Sequence, residues 1–253
     1  MKSLATLGNE LYSGKTSIPF VGKRRIWYLI AVVVIAGSAA LLATVGLTPG
    51  IDFKGGSEIT VTGLSSLSER PANEVLAKDD LTAGSSVTTM GSSSVRVQAN
   101  ELDKAQLDEL ASSLATAYDV DSGSVSATTI GPTWSADVTS KAARGLVIFF
   151  LLVGALIWIY FRTWKMAAAA LLALSHDIIV TIGIYAASGF EVTPATIIGV
   201  LTILGYSLYD TVVVFDKIRE NTSHYEAQTR STYAELANLA VNQTFIRSIN
   251  TSV

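Results

Sequence analysis

The stretch Thr193-Pro194-Ala195-Thr196-Ile197-Ile198-Gly199-Val200-Leu201-Thr202-Ile203-Leu204-Gly205-Tyr206-Ser207-Leu208-Tyr209-Asp210-Thr211-Val212-Val213-Val214-Phe215, followed by Asp216-Lys217-Ile218-Arg219-Glu220-Asn221, decides the fold. From Pro194 to Phe215 it is apolar enough, and long enough, to cross a bilayer as a helix. One carboxylate, Asp210, interrupts its inner half, with Tyr206 and Ser207 one turn earlier on the same face and Thr211 next to it. An ionisable group at that depth costs about 2.5–3.5 kcal/mol on insertion scales, so it points to ion or proton handling. The residues leave a second reading open, an interfacial Asp210 reaching toward Lys217 and Arg219.

Working outward, three more apolar runs have the length of a span. Ile26–Leu47 follows the cluster Lys23-Arg24-Arg25. It is too long for a signal-peptide core, and no Ala-x-Ala-like cleavage site closes it. Residues 141–161 and 166–187 form a pair joined by the short basic link Arg162-Thr163-Trp164-Lys165. The positive-inside rule puts residues 1–25, that link and the exit at Lys217 and Arg219 in the cytoplasm. These signs agree on spans at 26–47, 141–161, 166–187 and 194–215, with the N-terminus inside. Trp134 is placed to anchor the interface before the second span. The expected location is a membrane, crossed several times.

Residues 48–140 have a different texture, rich in Ser and Thr, with alternation replacing continuous hydrophobicity. Thr48-Pro49-Gly50 ends the first span, and Gly50-Ile51-Asp52-Phe53-Lys54-Gly55-Gly56 reads as a tight linker whose glycines permit close approaches. Ser57–Thr62 alternates as a strand, and Glu69–Ala77 reads as a helix opened by Pro71. Residues 86–90 and 94–98 form a hairpin around Gly91-Ser92-Ser93. Glu101–Tyr118 is an amphipathic helix, and Val125–Ile130 a last strand. The order β-α-β-β-α-β predicts a ferredoxin-like split motif. The expected fold is therefore an α-helical transmembrane bundle with an inserted α+β ferredoxin-like extracytoplasmic domain. Acidic residues outnumber Lys54, Arg70, Lys78, Arg96 and Lys104 across this region, which reads as a solvated surface rather than an ion site.

Composition narrows the function. The chain is 49% hydrophobic and 15% charged, which excludes a disordered protein and disfavours a purely soluble one. The net charge of −3 gives no reason to expect a nucleic-acid partner. Cysteine is absent, so disulfides, Fe–S clusters and thiolate zinc sites are excluded, and His176 and His224 lie too far apart in sequence to favour a His-based metal site. No Gly-rich loop with Gly-Lys-Ser/Thr indicates an ATP site, no Ser/His/Asp or paired-acid arrangement indicates a hydrolase, and no cofactor is expected.

A second intramembrane carboxylate, Asp177, lies in Ser175-His176-Asp177 of the third span. At 1.5 Å per residue, Asp177 and Asp210 sit about 17 Å and 8 Å from their inner ends, an offset of about 9 Å. They need not touch to line one hydrated path. Hydrocarbon disfavours a charged carboxylate, and a proton carrier must load and unload near ambient pH. Thr181 is one turn from Asp177. A helix turns the His176 ring about 100° away from Asp177, leaving it either a proton-sharing group or a packed residue. Asp216 reads as a cap or an ion-pair partner of Lys217 or Arg219. Arg247 is either a counter-charge to an intramembrane Asp or an anchor at the cytoplasmic side. Gly199, Gly205 and Ala195 read as small residues for close helix packing.

Gly205–Asn221 as quoted above resembles the signature of the SecF family, the smaller subunit of the SecD–SecF auxiliary complex of the bacterial Sec translocon. The run around Gly50, Asp52, Gly55 and Gly56 is similar to a family element after the first helix. The polar segment from Tyr225 to about Gln243 reads as helical. Asn242-Gln243-Thr244-x-x-Arg247-Ser248-x-Asn250-Thr251-Ser252 resembles the run that opens a fifth span in that family, with a sixth beyond it. Residues 216–253 would lead to that span, and the expectation is a piece of a longer protein. The resemblance implies membership of the resistance–nodulation–division superfamily and use of the proton gradient to assist export of unfolded polypeptides. It implies SecD and the SecYEG translocon as partners, with YajC and a membrane insertase as further ones, all within membrane lipid. The proton-relay residues would be Asp210, Asp177 and Arg247, supported by Tyr206, Ser207, Thr211 and His176. Two other readings stand beside it: a small-molecule efflux transporter of the same superfamily, which needs about twice the spans and a large porter region, and a non-transport membrane scaffold.

Overall fold

In the computed structural model, residues 4–64, 66–223, 225 and 231–252 are described. The helical reading of 226–230 and the position of His224 lie outside them. The elements in chain order are α1 (Leu4–Tyr12), α2 (Arg24–Thr44), β1 (Thr48–Pro49), α3 (Ile51–Lys54), β2 (Gly56–Val61), α4 (Arg70–Lys78), β3 (Ser86–Met90), β4 (Ser94–Ala99), α5 (Lys104–Tyr118), β5 (Val125–Ile130), α6 (Pro132–Phe161), α7 (Trp164–Ser188), β6 (Glu191–Val192), α8 (Pro194–Thr222) and α9 (Tyr233–Ser252). The chain divides into two compact units: Met1–Leu47, Leu146–Phe190 and Thr196–Val253 form one, and Thr48–Gly145 with Glu191–Ala195 the other.

In the helical unit, α2, α6, α7 and α8 are each long and apolar enough to cross a membrane. Prolines open α6 and α8, where a missing N–H leaves no further helical bond unmade. Val153, Ile157 and Phe161 of α6 interlock with Ala167, Ala170 and Leu174 of α7 and Leu204 of α8. The packing of α2 on α7 depends on Gly183, because a Cβ added there would collide with Ser38 of α2, backbone included. Gly199 and Gly205, read as packing residues, meet nothing of the chain within 4 Å. The α8 stripe that carries them is uncovered by the chain, and the small-residue contact was made elsewhere.

The N-terminal segment, read from sequence only as polar, contains α1, which packs on α9. Beyond α1, two asparagines of α9 hold residues 17–21: Ile18 N–H donates to Asn242 Oδ1 (2.8 Å) and Val21 N–H to Asn238 Oδ1 (3.0 Å). Both amides return a bond to the Ile18 carbonyl, at 3.0 and 3.1 Å. Asn242 is buried, and with these bonds its amide is paired rather than orphaned. Thr232 and Glu235 cap α9 reciprocally, the Thr232 N–H and hydroxyl holding the Glu235 carboxyl below its ordinary range.

The second unit is a four-stranded antiparallel sheet in the order β3-β4-β2-β5, with α4 and α5 packed on one face. Alternation along the strands sends Ile59, Val61, Val95 and Val97 into a core with Leu76, Leu110 and Leu114. Glu58, Thr60, Arg96 and Gln98 take the opposite face. Asp103 and Gln106 form a capping box that starts α5. Burial raises the Tyr118 hydroxyl above its ordinary value, and it donates to the Ser68 carbonyl at 2.7 Å. Gly56 enters β2 at φ 135°, and a Cβ there would stand 2.6 Å from the Ala99 carbonyl oxygen. Only glycine fits.

Candidate functional site

The candidate site is built within the helical unit, from α7, α8 and α9. Asp177 lies mid-way along α7, part-covered by the chain. Ser207 of α8 donates its hydroxyl to Asp177 Oδ2, so a single side-chain bond joins two membrane-length helices. His176 Nδ1 lies 3.1 Å from the other oxygen, Oδ1. The helical angle therefore did not separate His176 from Asp177, because the imidazole is long enough to fold back along the helix. Thr181 takes no part in the carboxyl's bonding; its hydroxyl donates to the Asp177 main-chain carbonyl at 2.8 Å.

Asp210 stands three residues beyond Ser207 on the same face of α8. The Thr251 hydroxyl of α9 lies 2.9 Å from Asp210 Oδ1 and 3.1 Å from Oδ2. That hydroxyl also lies 3.1 Å and 3.0 Å from the carbonyls of Arg247 and Ser248. A hydroxyl has one proton to give and lone pairs to receive. It can donate to an ionised Asp210. It can equally accept from a protonated one, while turning its own proton onto either carbonyl. The pairing therefore tolerates loss and gain of a proton without stranding a polar group in an apolar setting.

A cavity of about 780 Å³ opens beside these groups, lined by Tyr206, Ser207, Asp210, Thr211, Ser248 and Thr251 among others. Ser207 thus faces the same space as Asp210 while bonded to Asp177. Asp177 is thus bonded to a residue that lines the cavity beside Asp210.

Other residues singled out in the sequence lie elsewhere. Arg247 donates to the Tyr209 hydroxyl, with its guanidinium 5.6 Å from that ring's centre, and lines a second cavity with Asp216 and Lys217. Asp216 accepts from the Tyr160 hydroxyl at 3.3 Å, while Lys217 pairs with Glu220 at 2.7 Å and Arg219 donates to the Tyr160 carbonyl at 3.3 Å. The ion pairs read for Asp216 are replaced by that tyrosine bond. Gly50, Asp52, Gly55 and Gly56 fall in and around α3, in the other unit. Sequence reasoning missed Thr251. The usable signal was its position one helical turn beyond Arg247, which matters only once α9 is known to lie beside α8.

A bundle of membrane-length helices holding carboxylates among hydroxyls, with an α+β unit between the first and second such helices, defines a class of multi-pass membrane protein. Residues 110–253 match the family described as protein export membrane protein SecD/SecF, C-terminal, and residues 40–62 match the SecD/SecF GG motif. The chain is 44% identical to the protein translocase subunit SecF of Streptomyces coelicolor, covering all of this chain and 67% of that one. It is 41% identical to the SecF of Mycobacterium leprae over 97% of this chain and 55% of that one. Among solved structures, SecDF from Thermus thermophilus superposes with a TM-score of 0.81 at 27% identity, over 94% of this chain and 32% of that one. SecDF in its super-membrane-facing form gives 0.56 at 25% identity, with the same coverage. The chain belongs to the SecF family, and spans from about half to two thirds of these curated relatives.

Proposed function

We propose that the chain assists protein export, acting with a SecD partner beside the SecYEG translocon and using the proton-motive force to help unfolded polypeptides cross the bacterial inner membrane. The observation that carries this reading is the bonded array Asp177–Ser207 and Asp210–Thr251 around one cavity on helices long enough to span a bilayer. Hydroxyl partners let both acids exchange protons with their hydrogen bonds retained. Tyr206, Thr211 and His176 extend the polar lining, and Arg247 sets local charge from its place against Tyr209. The reaction is transport, and no bond of a substrate is made or broken.

The finer architecture follows the same reading. The unit of β2–β5 with α4 and α5 is a ferredoxin-like domain on the extracytoplasmic side, between spans at 26–47 and 141–161. Residues 1–25 and 216–241 lie in the cytoplasm, and the end of α9 lies beside Asp210 of α8. YajC and a membrane insertase are further neighbours in this assembly, and lipid surrounds the uncovered helix faces.

The test is Asp210→Asn in the full-length protein with SecD. The amide keeps the size and the hydrogen bonding but cannot titrate. It should insert and assemble normally while losing the proton-dependent stimulation of export. Full stimulation in that variant rules out the relay and leaves a membrane scaffold.

A further inference from the structure

The GG-motif region and the turn between α7 and α8 meet inside the sheet-bearing unit. β1 and β6 pair in parallel, with Thr48 opposite Glu191 and Pro49 opposite Val192, although more than 140 residues separate them. The Gly50 N–H donates to the Val192 carbonyl at 2.8 Å. A Cβ on Gly50 would come within 2.8 Å of Glu191 Oε1 and 3.2 Å of the Val192 carbonyl oxygen, so a larger residue there would push the Glu191 side chain aside. Two-residue strands offer few bonds of their own. Side chains supply the rest. Arg96 Nη1 on β4 lies 2.7 Å from Glu191 Oε2, and Arg96 Nε lies 3.4 Å from Glu58 Oε2 on β2. Gln98 Nε2 donates to Glu191 Oε1 at 2.6 Å and to Glu58 Oε2 at 3.1 Å. The three charged side chains keep only 20–24% of their surface exposed, so the attraction is less screened than in an open surface pair.

We infer that Arg96 is a positioning residue that latches Glu191, and with it the start of α8, to the β2–β4 sheet. The inference rests on the proton-coupled reading above. Pro194 begins α8 three residues after Glu191, and the same unbroken helix carries Ser207 and Asp210. A helix is stiff along its axis, so a change of packing at Asp210 is delivered at its first turn. The latch converts that displacement into movement of the sheet instead of letting the α7–α8 turn slide past it. The cluster fits this task because it joins one point on the turn to two adjacent central strands. A solvated acidic face would need neither Arg96 nor Gln98 bridging both glutamates.

The inference separates proton passage from its use. In proteoliposomes holding the full-length protein with SecD, Arg96→Gln should let protons pass at the wild-type rate. Proton-stimulated export should fall about fivefold or more, the size of a typical coupling term. Arg96→Lys should recover part of it by keeping the charge. A disulfide between Pro49→Cys and Val192→Cys, opposite one another in the β1–β6 register, should restore export in the Arg96→Gln background, because it replaces the latch covalently. Unchanged export in Arg96→Gln overturns the inference, and so does parallel loss of proton passage and export that the disulfide does not rescue. If Asp210→Asn keeps full export, the proton reading fails and the latch fails with it. If Asp210→Asn is inactive, the Arg96 series judges the latch alone.

Discussion

The two units handle acidic side chains in opposite ways. On the sheet, Glu58 and Glu191 lie against the guanidinium of Arg96, a partner that stays charged at any physiological pH. On the helices, Asp177 is met by the Ser207 hydroxyl and the His176 ring, and Asp210 by the Thr251 hydroxyl. A guanidinium beside a carboxylate adds charge attraction to the hydrogen bond. A hydroxyl serves either protonation state. The first arrangement suits a strut, and the second a group whose charge must change. The apolar side chains differ too: the sheet unit buries its leucines and valines in its own core, whereas α2 leaves Tyr28, Leu29, Val32 and Val33 uncovered for lipid.

The contrast can be broken in several places. The largest stability effect should come from Leu114→Ala in the fully buried core of the sheet unit, which should destabilise that unit by about 2–5 kcal/mol through lost contacts and a cavity. Hydrogen exchange of the β2 and β4 amides should accelerate, while protection of α7 and α8 is unchanged. Gly183→Val acts on the other unit. The added side chain collides with Ser38, so α2 should loosen from α7 at a cost of about 1–3 kcal/mol, seen as a lower Tm in detergent. Ser207→Ala removes one bridging bond worth about 1 kcal/mol, which lowers proton-dependent export about fivefold, and Ser207→Thr should restore most of it.

The smallest effect sharpens the comparison at the exposed cap of α9. The Glu235 carboxyl is held below its ordinary range by Thr232. A depressed carboxyl stabilises above its ordinary pKa, and that contribution is lost as pH falls through the lowered value. The first turn of α9 should fray on acidification, measured as faster amide exchange at Glu235. Glu235→Gln should abolish that pH dependence.

Local pattern made much of the sheet unit legible. Alternation marked Ser57–Thr62, where β2 runs from Gly56 to Val61, and the hairpin read at 86–90 and 94–98 lies where β3 and β4 form. Apolar spacing marked Glu101–Tyr118, where α5 runs from Lys104 to Tyr118. Apolar length did the same for the membrane helices. Contacts between distant residues were not legible. β1 and β6 are two residues each, and they exist because 48–49 and 191–192 pair, which no periodicity announces. The facing of α9 toward α8, which puts Thr251 on Asp210, depends on packing rather than on any feature of the run itself. Asp177 and Asp210 stood out because charge in an apolar helix is rare. Of their partners, Ser207 and His176 were named from their places near them, and Thr251 was not.

The asparagine pair on α9 has a consequence for how the chain is made. Val21 waits for Asn238 across 217 residues of sequence. At about 5–20 residues per second, a ribosome needs on the order of tens of seconds to deliver the second after the first. During that interval the main-chain amides of Ile18 and Val21 must be hydrated or held by another protein. Residues 18–21 therefore settle only after α9 is made, although they are synthesised long before it.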